Sequence, residues 1–345
     1  MKAVDFTSPR KAILKDVDEP KPGSSDVIVK VAVCAICGSD IPLYLHTQKG
    51  WNTSIIPGHE VTGKIVEAGE NVRNFDVGDR VVVYAGIPCG KCYYCRQGQT
   101  NYCSTMMDQR MIGFTLNGGY AEYLKASEKQ LFKLPKEISF EDGSLLLDPI
   151  GVAVEGLKRI RVDKHSKVAV YGCGTIGIGT MLTLQVEYGL KEIFAVEISD
   201  YRRRIVEDLG IDTINPKEKN ATEEIIEATG GMGVDLAIDA TGNSQAEINA
   251  LKTVRKLGRV LFLGENYGEI SLSPSHLFIA NGLTLAGSRY FPQTALKEHT
   301  EILLRAKQKF GKINTHEFTL EQVTEALELF VNKDCIRPLL KPEMA

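Results

Sequence analysis

Six residues constrain this chain more than any others: Gly172-Cys173-Gly174-Thr175-Ile176-Gly177. They spell G-x-G-x-x-G, with the apolar run Val168-Ala169-Val170-Tyr171 before them and a helical pattern over 174–188 after them. Strand, glycine turn and helix in that order form the opening of a dinucleotide-binding unit. Gly172 permits the tight turn. Gly174 removes a side chain where a pyrophosphate must approach, and Gly177 lets the helix pack closely on the strand. Thr175 and Ile176 open the helix, whose free N–H groups are offered to the phosphates. Glu197 closes the next apolar run, Ile193-Phe194-Ala195-Val196, twenty residues past Gly177. An acid at that place accepts hydrogen bonds from the adenosine ribose hydroxyls and repels a 2′-phosphate, so NAD is favoured over NADP. The run Arg202-Arg203-Arg204 keeps two readings: a solvated helix face, or arginines that serve a phosphate, with Arg202 the candidate for the second role.

The alternation continues beyond this unit. A helix is expected over 201–209, then the run Leu236-Ala237-Ile238, a helix over 246–257, and the run Arg259-Val260-Leu261-Phe262-Leu263. Continuous apolar runs separated by helices predict a doubly wound parallel sheet covered on both faces. The first 140 or so residues read differently. Short apolar strands such as Val27–Val33, Lys64–Ala68 and Arg80–Tyr84 are broken by glycine turns, which predicts a β-rich, barrel-like domain. Near the end, a helix over 321–332 places Val323, Ala326, Leu327 and Phe330 on one face. The fold class is α/β, and 345 residues suffice for two cores.

Composition excludes several function classes. Apolar residues make up 43% and charged residues 25%, which a disordered chain would not show. The net charge of −3 argues against nucleic acid as the main partner. No apolar run approaches the ~18 residues of a membrane span, and Met1-Lys2-Ala3-Val4-Asp5 lacks the long apolar stretch of a signal peptide. A cytoplasmic location is expected.

Eight cysteines then need a role, and four lie close together. Cys89, Cys92, Cys95 and Cys103 follow C-x2-C-x2-C-x7-C, which suits a tetrahedral all-thiolate zinc, with an iron–sulfur cluster as the chemical alternative. A filled thiolate shell leaves no open position, so this site is read as structural. Cys37, His59 and Glu60 form a second candidate set. One thiolate, one imidazole and one carboxylate can hold zinc with room for a water or an alcohol, or these can be ordinary core residues. Cys34 reads as a core strand residue, because no thioredoxin-like pattern surrounds Cys34-x-x-Cys37.

At these residues a family becomes recognisable. Gly58-His59-Glu60-x-x-Gly63-x-x-Val66-x-x-Gly69, followed by Gly78-Asp79-Arg80-Val81, resembles the signature of zinc-containing alcohol dehydrogenases of the medium-chain superfamily. The four-cysteine lobe and the glycine loop fall in that family's order. The resemblance implies a GroES-like catalytic domain over 1–148 with the zinc lobe at about 88–104, a Rossmann NAD-binding domain over 149–287, and a return to the catalytic domain over 288–345. It implies one catalytic and one structural zinc. Cys37 and His59 match catalytic ligands, Glu60 a residue that binds zinc directly or supports it, and Asp148 an acid that ligates zinc or holds its water. Ser39 matches the hydroxyl that carries the substrate proton away. The implied chemistry is hydride transfer from a zinc-activated alcohol to NAD, giving a ketone.

The branch is mixed. Cys37-Gly38-Ser39-Asp40-Ile41-Pro42 resembles galactitol-phosphate dehydrogenases, with Pro42 where sorbitol and threonine branches carry a relaying His. His46, Tyr44 or water must then extend the relay. Asp148-Pro149-Ile150-Gly151-x-Ala153-Val154 resembles the threonine branch, except for Glu155 in place of a His. Arg289-Tyr290 and Phe114 resemble substrate-contact positions of the sorbitol branch. A polyol or its phosphate is the first expectation, L-threonine the second and a small diol the third. A catalytically silent zinc- and NAD-binding regulator is the alternative of another class. The resemblance also implies a homo-oligomer, dimer or tetramer, to which the runs Arg259–Leu263 and Leu283–Ala286 are candidates to contribute.

Overall fold

A computed structural model describes residues 1–343, apart from the side chains of residues 107 and 108. The chain divides into two units. One holds Met1–Leu147, Phe291–Lys297 and the residues from Asn314 on; the other holds Asp148–Tyr290 and Glu298–Ile313. The tail of the chain is thus divided between them.

In the first unit, β1 (Lys2–Ser8) and β2 (Lys11–Asp16) form an antiparallel hairpin. The main sheet is built on β3 (Asp26–Ala35), β4 (Glu60–Ala68), β5 (Arg80–Val83), β6 (Tyr123–Ser127) and β7 (Leu131–Lys133). β3 is the centre because β-branched Val27, Ile28, Val29, Val31 and Val33 bury both of its faces. Register sets which residues meet at the end of this sheet. Ala35 in β3 lies opposite Glu60 in β4. Cys37, two residues past the end of β3, and His59, one residue before β4, therefore leave the sheet at the same end.

The second unit holds β8 (Val168–Tyr171), β9 (Ile193–Val196), β10 (Asp212–Ile214), β11 (Val234–Asp239), β12 (Val254–Phe262) and β13 (Thr284–Gly287). All its pairings are parallel, in the order β10-β9-β8-β11-β12-β13. The order reverses direction between β8 and β11, the switch point at which open parallel sheets bind ligands. Two further strands, β14 (Asn314–Phe318) and β15 (Arg337–Leu340), bring the chain back into the first unit's sheet, with Leu339 opposite Ala35.

Several helix boundaries differ from expectation. The helix expected over 246–257 ends at Thr253, and Val254 already begins β12 opposite Val234. Val254 is β-branched, and Leu257 takes a left-handed φ of 60° that no helix interior tolerates. The helix expected over 201–209 starts earlier, as Asp200–Glu207, because the Ser199 side chain caps it by accepting from Arg202 N–H. The last helix, expected over 321–332, runs Val323–Val331; it buries Val323, Ala326 and Leu327, while Phe330 is half-buried. Among the described residues, no helix is long and apolar enough to cross a membrane.

Candidate metal and nucleotide sites

The end of β3 turns through Gly38–Asp40, a single 3-10 turn that leads into the short helix Ile41–Tyr44. Pro42 sits in the first turn of that helix, where its missing N–H costs nothing. Asp40 organises the turn: its Oδ2 accepts from the Cys37 N–H at 2.9 Å. One potential ligand atom each from Cys37, His59, Glu60 and Asp148 lies within 4.8 Å of the other three, and all four residues are buried. Asp148 directly follows Leu147 and opens a π-helical turn, Asp148–Val152.

Burying one thiol, one imidazole and two carboxylates together is costly without a cation among them. Arg337 meets part of that need. It is fully buried at the start of β15, and its guanidinium bonds Glu60 Oε2 through Nε (3.0 Å) and Nη2. Its remaining N–H groups reach Ser144 Oγ at 2.9 Å, Asn314 Oδ1 at 2.6 Å and the Ser144 carbonyl at 3.1 Å. Asp40 Oδ1 is buried and faces His59 Nδ1 at 3.4 Å. This donor set fits a divalent zinc ion.

Asp40, Tyr120 and Arg337 are not evident as site residues from the sequence. Arg337 does carry a usable signal: a lone cation in the apolar run Cys335-Ile336-Arg337-Pro338-Leu339-Leu340 must find a partner. Ser39 is half-buried in the 3-10 turn. The Phe114 ring lies 5.0 Å from the His59 ring, so that residue is brought to the site. Tyr44 and His46 turn elsewhere. The Tyr44 hydroxyl donates to Glu328 Oε1 at 2.7 Å, and His46 Nε2 meets the Phe6 carbonyl at 3.0 Å. Glu155 is half-buried, and burial raises its carboxyl above the usual range.

The four-cysteine lobe also closes. The sulfurs of Cys89, Cys92, Cys95 and Cys103 lie within 4.8 Å of one another. Backbone N–H groups of Cys92 and Cys89 point at Cys89 Sγ (3.3 Å) and Cys103 Sγ (3.2 Å). Backbone hydrogen bonds from Cys95 and Ser104 hold the Cys92 thiol down to about 6, while burial pushes Cys95 up to about 12. Four thiolates held this close repel one another, so they form a cage only around a cation, as a zinc-type site requires.

In the second unit the glycine loop takes the expected form. Gly172 has φ 93°, and a Cβ on Gly177 would lie 1.8 Å from the Gly172 carbonyl oxygen. The helix Thr175–Tyr188 begins at Gly174, which has no side chain to cap it. Glu197 is buried and held by backbone N–H groups: Cys173 on Oε2 at 2.7 Å, and Ile198 (2.7 Å) and Ser199 (2.9 Å) on Oε1. Its carboxylate therefore retains only part of its accepting capacity for a ribose. Arg202 is buried, not a solvated helix residue, and its Nη1 lies 3.5 Å from where a Gly174 Cβ would sit. Arg203 binds the Glu197 carbonyl at 3.1 Å and also Asp200. Arg289 is half exposed, with its Nε 3.9 Å from Glu265.

Comparison with known proteins agrees with this fold. Residues 23–136 match the family model of the alcohol dehydrogenase GroES-like domain, and residues 175–305 that of the zinc-binding dehydrogenases. L-threonine 3-dehydrogenase of Pyrococcus abyssi is 33% identical over 327 residues, covering 92% of this chain and 91% of that protein. Sorbitol dehydrogenase of Bacillus subtilis is 29% identical over 350 residues, covering 99% and 97%. The crystal structure of 2R,3R-butanediol dehydrogenase from Bacillus subtilis superposes with a TM-score of 0.88 at 28% identity, covering 99% of each chain. The chain is therefore an oxidoreductase that belongs to the zinc-type medium-chain alcohol dehydrogenase family.

Proposed function

We propose that this protein oxidises a secondary alcohol, a polyol, with NAD, and that Cys37, His59 and Asp148 hold its catalytic zinc with Glu60 beside them. One observation carries the reading: a thiol, an imidazole and two carboxylates converge in a buried cluster. That mixed set can leave a position for substrate, whereas the all-thiolate cage of Cys89, Cys92, Cys95 and Cys103 is suited to a structural zinc. Zinc held by the mixed set supplies Lewis-acid polarisation of the alcohol oxygen.

The chain's own residues do the rest. Ser39 takes up the alcohol proton. Pro42 has no donor, and Tyr44 and His46 are engaged with Glu328 and Phe6, so the proton leaves Ser39 through water or a ribose hydroxyl. Phe114 walls the site beside His59. Gly172, Gly174, Thr175, Ile176 and Gly177 receive the pyrophosphate. Arg202 and Glu197 receive the adenosine end, and the buried charge of Glu197 favours NAD over NADP.

The substrates named for the relatives, L-threonine, sorbitol and butanediol, share a secondary alcohol beside a second polar substituent. Arg289 is the candidate to read that substituent. The second reading is L-threonine, favoured by the Asp148-Pro149-Ile150-Gly151 stretch and by the Pyrococcus relative. The same proposal makes the protein a cytoplasmic homo-oligomer. β13 is the edge strand of its sheet, and Phe278 and Ile279 are exposed just before it. The run Arg259–Leu263, by contrast, falls in β12 and the residue after it, and β12 is flanked on both sides.

The test is NADH formation by the zinc-loaded protein at mildly alkaline pH. The panel holds sorbitol, xylitol, ribitol, galactitol, galactitol phosphate, inositols, L-threonine and 2,3-butanediol, each with NAD and with NADP. Turnover of a polyol with NAD sustains the proposal, and turnover of L-threonine alone replaces it with the second reading. Silence across the panel with only the four-cysteine site loaded points to a non-catalytic regulator.

A further inference from the structure

Tyr120 is a fully buried phenol in the first unit. Packing alone would be served equally by phenylalanine, and a hydroxyl that deep is costly unless it is bonded. The hydroxyl donates to Asp40 Oδ2 at 2.7 Å. The same oxygen accepts from the Cys37 N–H at 2.9 Å, and the other oxygen faces His59 Nδ1 at 3.4 Å. One carboxylate thus touches the residues on both sides of the mixed metal set, and Tyr120 holds that carboxylate in place.

Tyr120 also braces the segment that carries His59. Gly58 has φ 90°, and a Cβ there would lie 2.3 Å from Tyr120 Cδ1, so the ring packs directly on the Gly58 backbone. The Tyr120 N–H donates to the Pro57 carbonyl at 3.0 Å, and the Gly119 N–H to the Gly58 carbonyl at 2.9 Å. Backbone, ring and hydroxyl of one short stretch therefore converge on the residue before His59 and on the carboxylate facing its imidazole.

We propose that Tyr120 is a positioning residue for the metal set: through Asp40 it keeps the His59 proton on Nδ1 and so presents Nε2 to the ion. A neutral imidazole carries its proton on the nitrogen that faces a carboxylate, and partners of this kind orient metal-binding histidines. The inference rests on the reading that Cys37 and His59 hold zinc.

The experiment uses the zinc-loaded protein and its Tyr120→Phe variant, which keeps the ring on Gly58. Zinc release to a chromogenic chelator is followed in time, and the visible absorption of the cobalt-substituted protein gives a second readout. Tyr84→Phe serves as control, since it removes another buried hydroxyl bond of the same unit, the 2.6 Å bond to the Phe291 carbonyl. Tyr120→Phe is expected to speed release of one ion by about 10-fold or more, to alter the cobalt bands of that site, and to leave the four-cysteine ion unchanged. Tyr84→Phe is expected to change neither. Release of both ions at wild-type rates overturns the inference, as does equal acceleration of both or the same effect in Tyr84→Phe. If the wild-type protein itself binds only the four-cysteine ion, the reading of the metal set fails and takes the inference with it.

Discussion

Arg337 and Glu60 show what one residue pair commits the molecule to. Both are fully buried, and every guanidinium N–H has an acceptor. Removing one partner of such a pair leaves the other charge without compensation, at a cost of about 3–5 kcal/mol. Arg337→Met is expected to lower unfolding stability by that amount in a denaturant titration of the zinc-loaded protein. Arg337→Lys should recover only a minor part, because an ammonium cannot span Glu60, Ser144 and Asn314 together. A loss under 1 kcal/mol in Arg337→Met would show that the pair does not hold the sheet end. Cys37, His59 and Glu60 could be singled out in the sequence because they sit in short local motifs, and the fold brings their ligand atoms together. Of their supports, Asp40 sits in the same turn as Cys37, Tyr120 reaches it from eighty residues away, and Arg337 is placed by sheet register: Ala35 lies opposite both Glu60 and Leu339, a fact no local window contains.

At the scale of elements, the glycine loop and its helix were read almost to the residue. A turn that brings Gly177 within contact of the Gly172 carbonyl tolerates no side chain. Gly177→Ala should therefore push the helix Thr175–Tyr188 away from β8 and weaken NADH binding by about 10-fold or more, on top of an overpacking cost of ~1–3 kcal/mol. A fluorescence titration with NADH checks it, and unchanged affinity would mean that the loop does not receive the phosphates. The boundary at Thr253 was not legible, because helix periodicity ran on through Val254 to Leu257 and only pairing with β11 decided otherwise. The four-cysteine lobe belongs to this scale too. Its helix, Tyr93–Arg96, has four residues and is too short to persist alone. Stripping zinc should raise amide exchange over 89–103 and leave β8 to β12 protected, as exchange mass spectrometry would show.

At the scale of the whole molecule, the parallel sheet ends in β13, one side of which is unpaired among the described residues. Leu285 and Ala286 are half-buried on it, and Ile279 nearby is 81% exposed. Natural proteins seldom leave such an edge open. Sedimentation analysis should find an oligomer, and Ile279→Lys combined with Leu285→Lys should yield a smaller species that keeps both zinc ions. A wild-type monomer at micromolar concentration would rule the edge out as an interface. The α/β fold class was legible because hydrophobic runs change character along the chain. The neighbours that each late strand takes were not, since pairing joins residues far apart in sequence.

Glu197 carries a consequence for how this chain can change over generations. Its carboxylate is also a girder: it ties the second residue of the glycine loop to the turn after β9. A mutation that removes the charge to admit a different dinucleotide also strips acceptors from three backbone groups. On the proposed role of Glu197, cofactor preference and scaffold integrity are inherited as one trait. A lineage, or a designer, that sought to switch it would first need a new acceptor for Cys173, Ile198 and Ser199, and only then a different answer to the ribose.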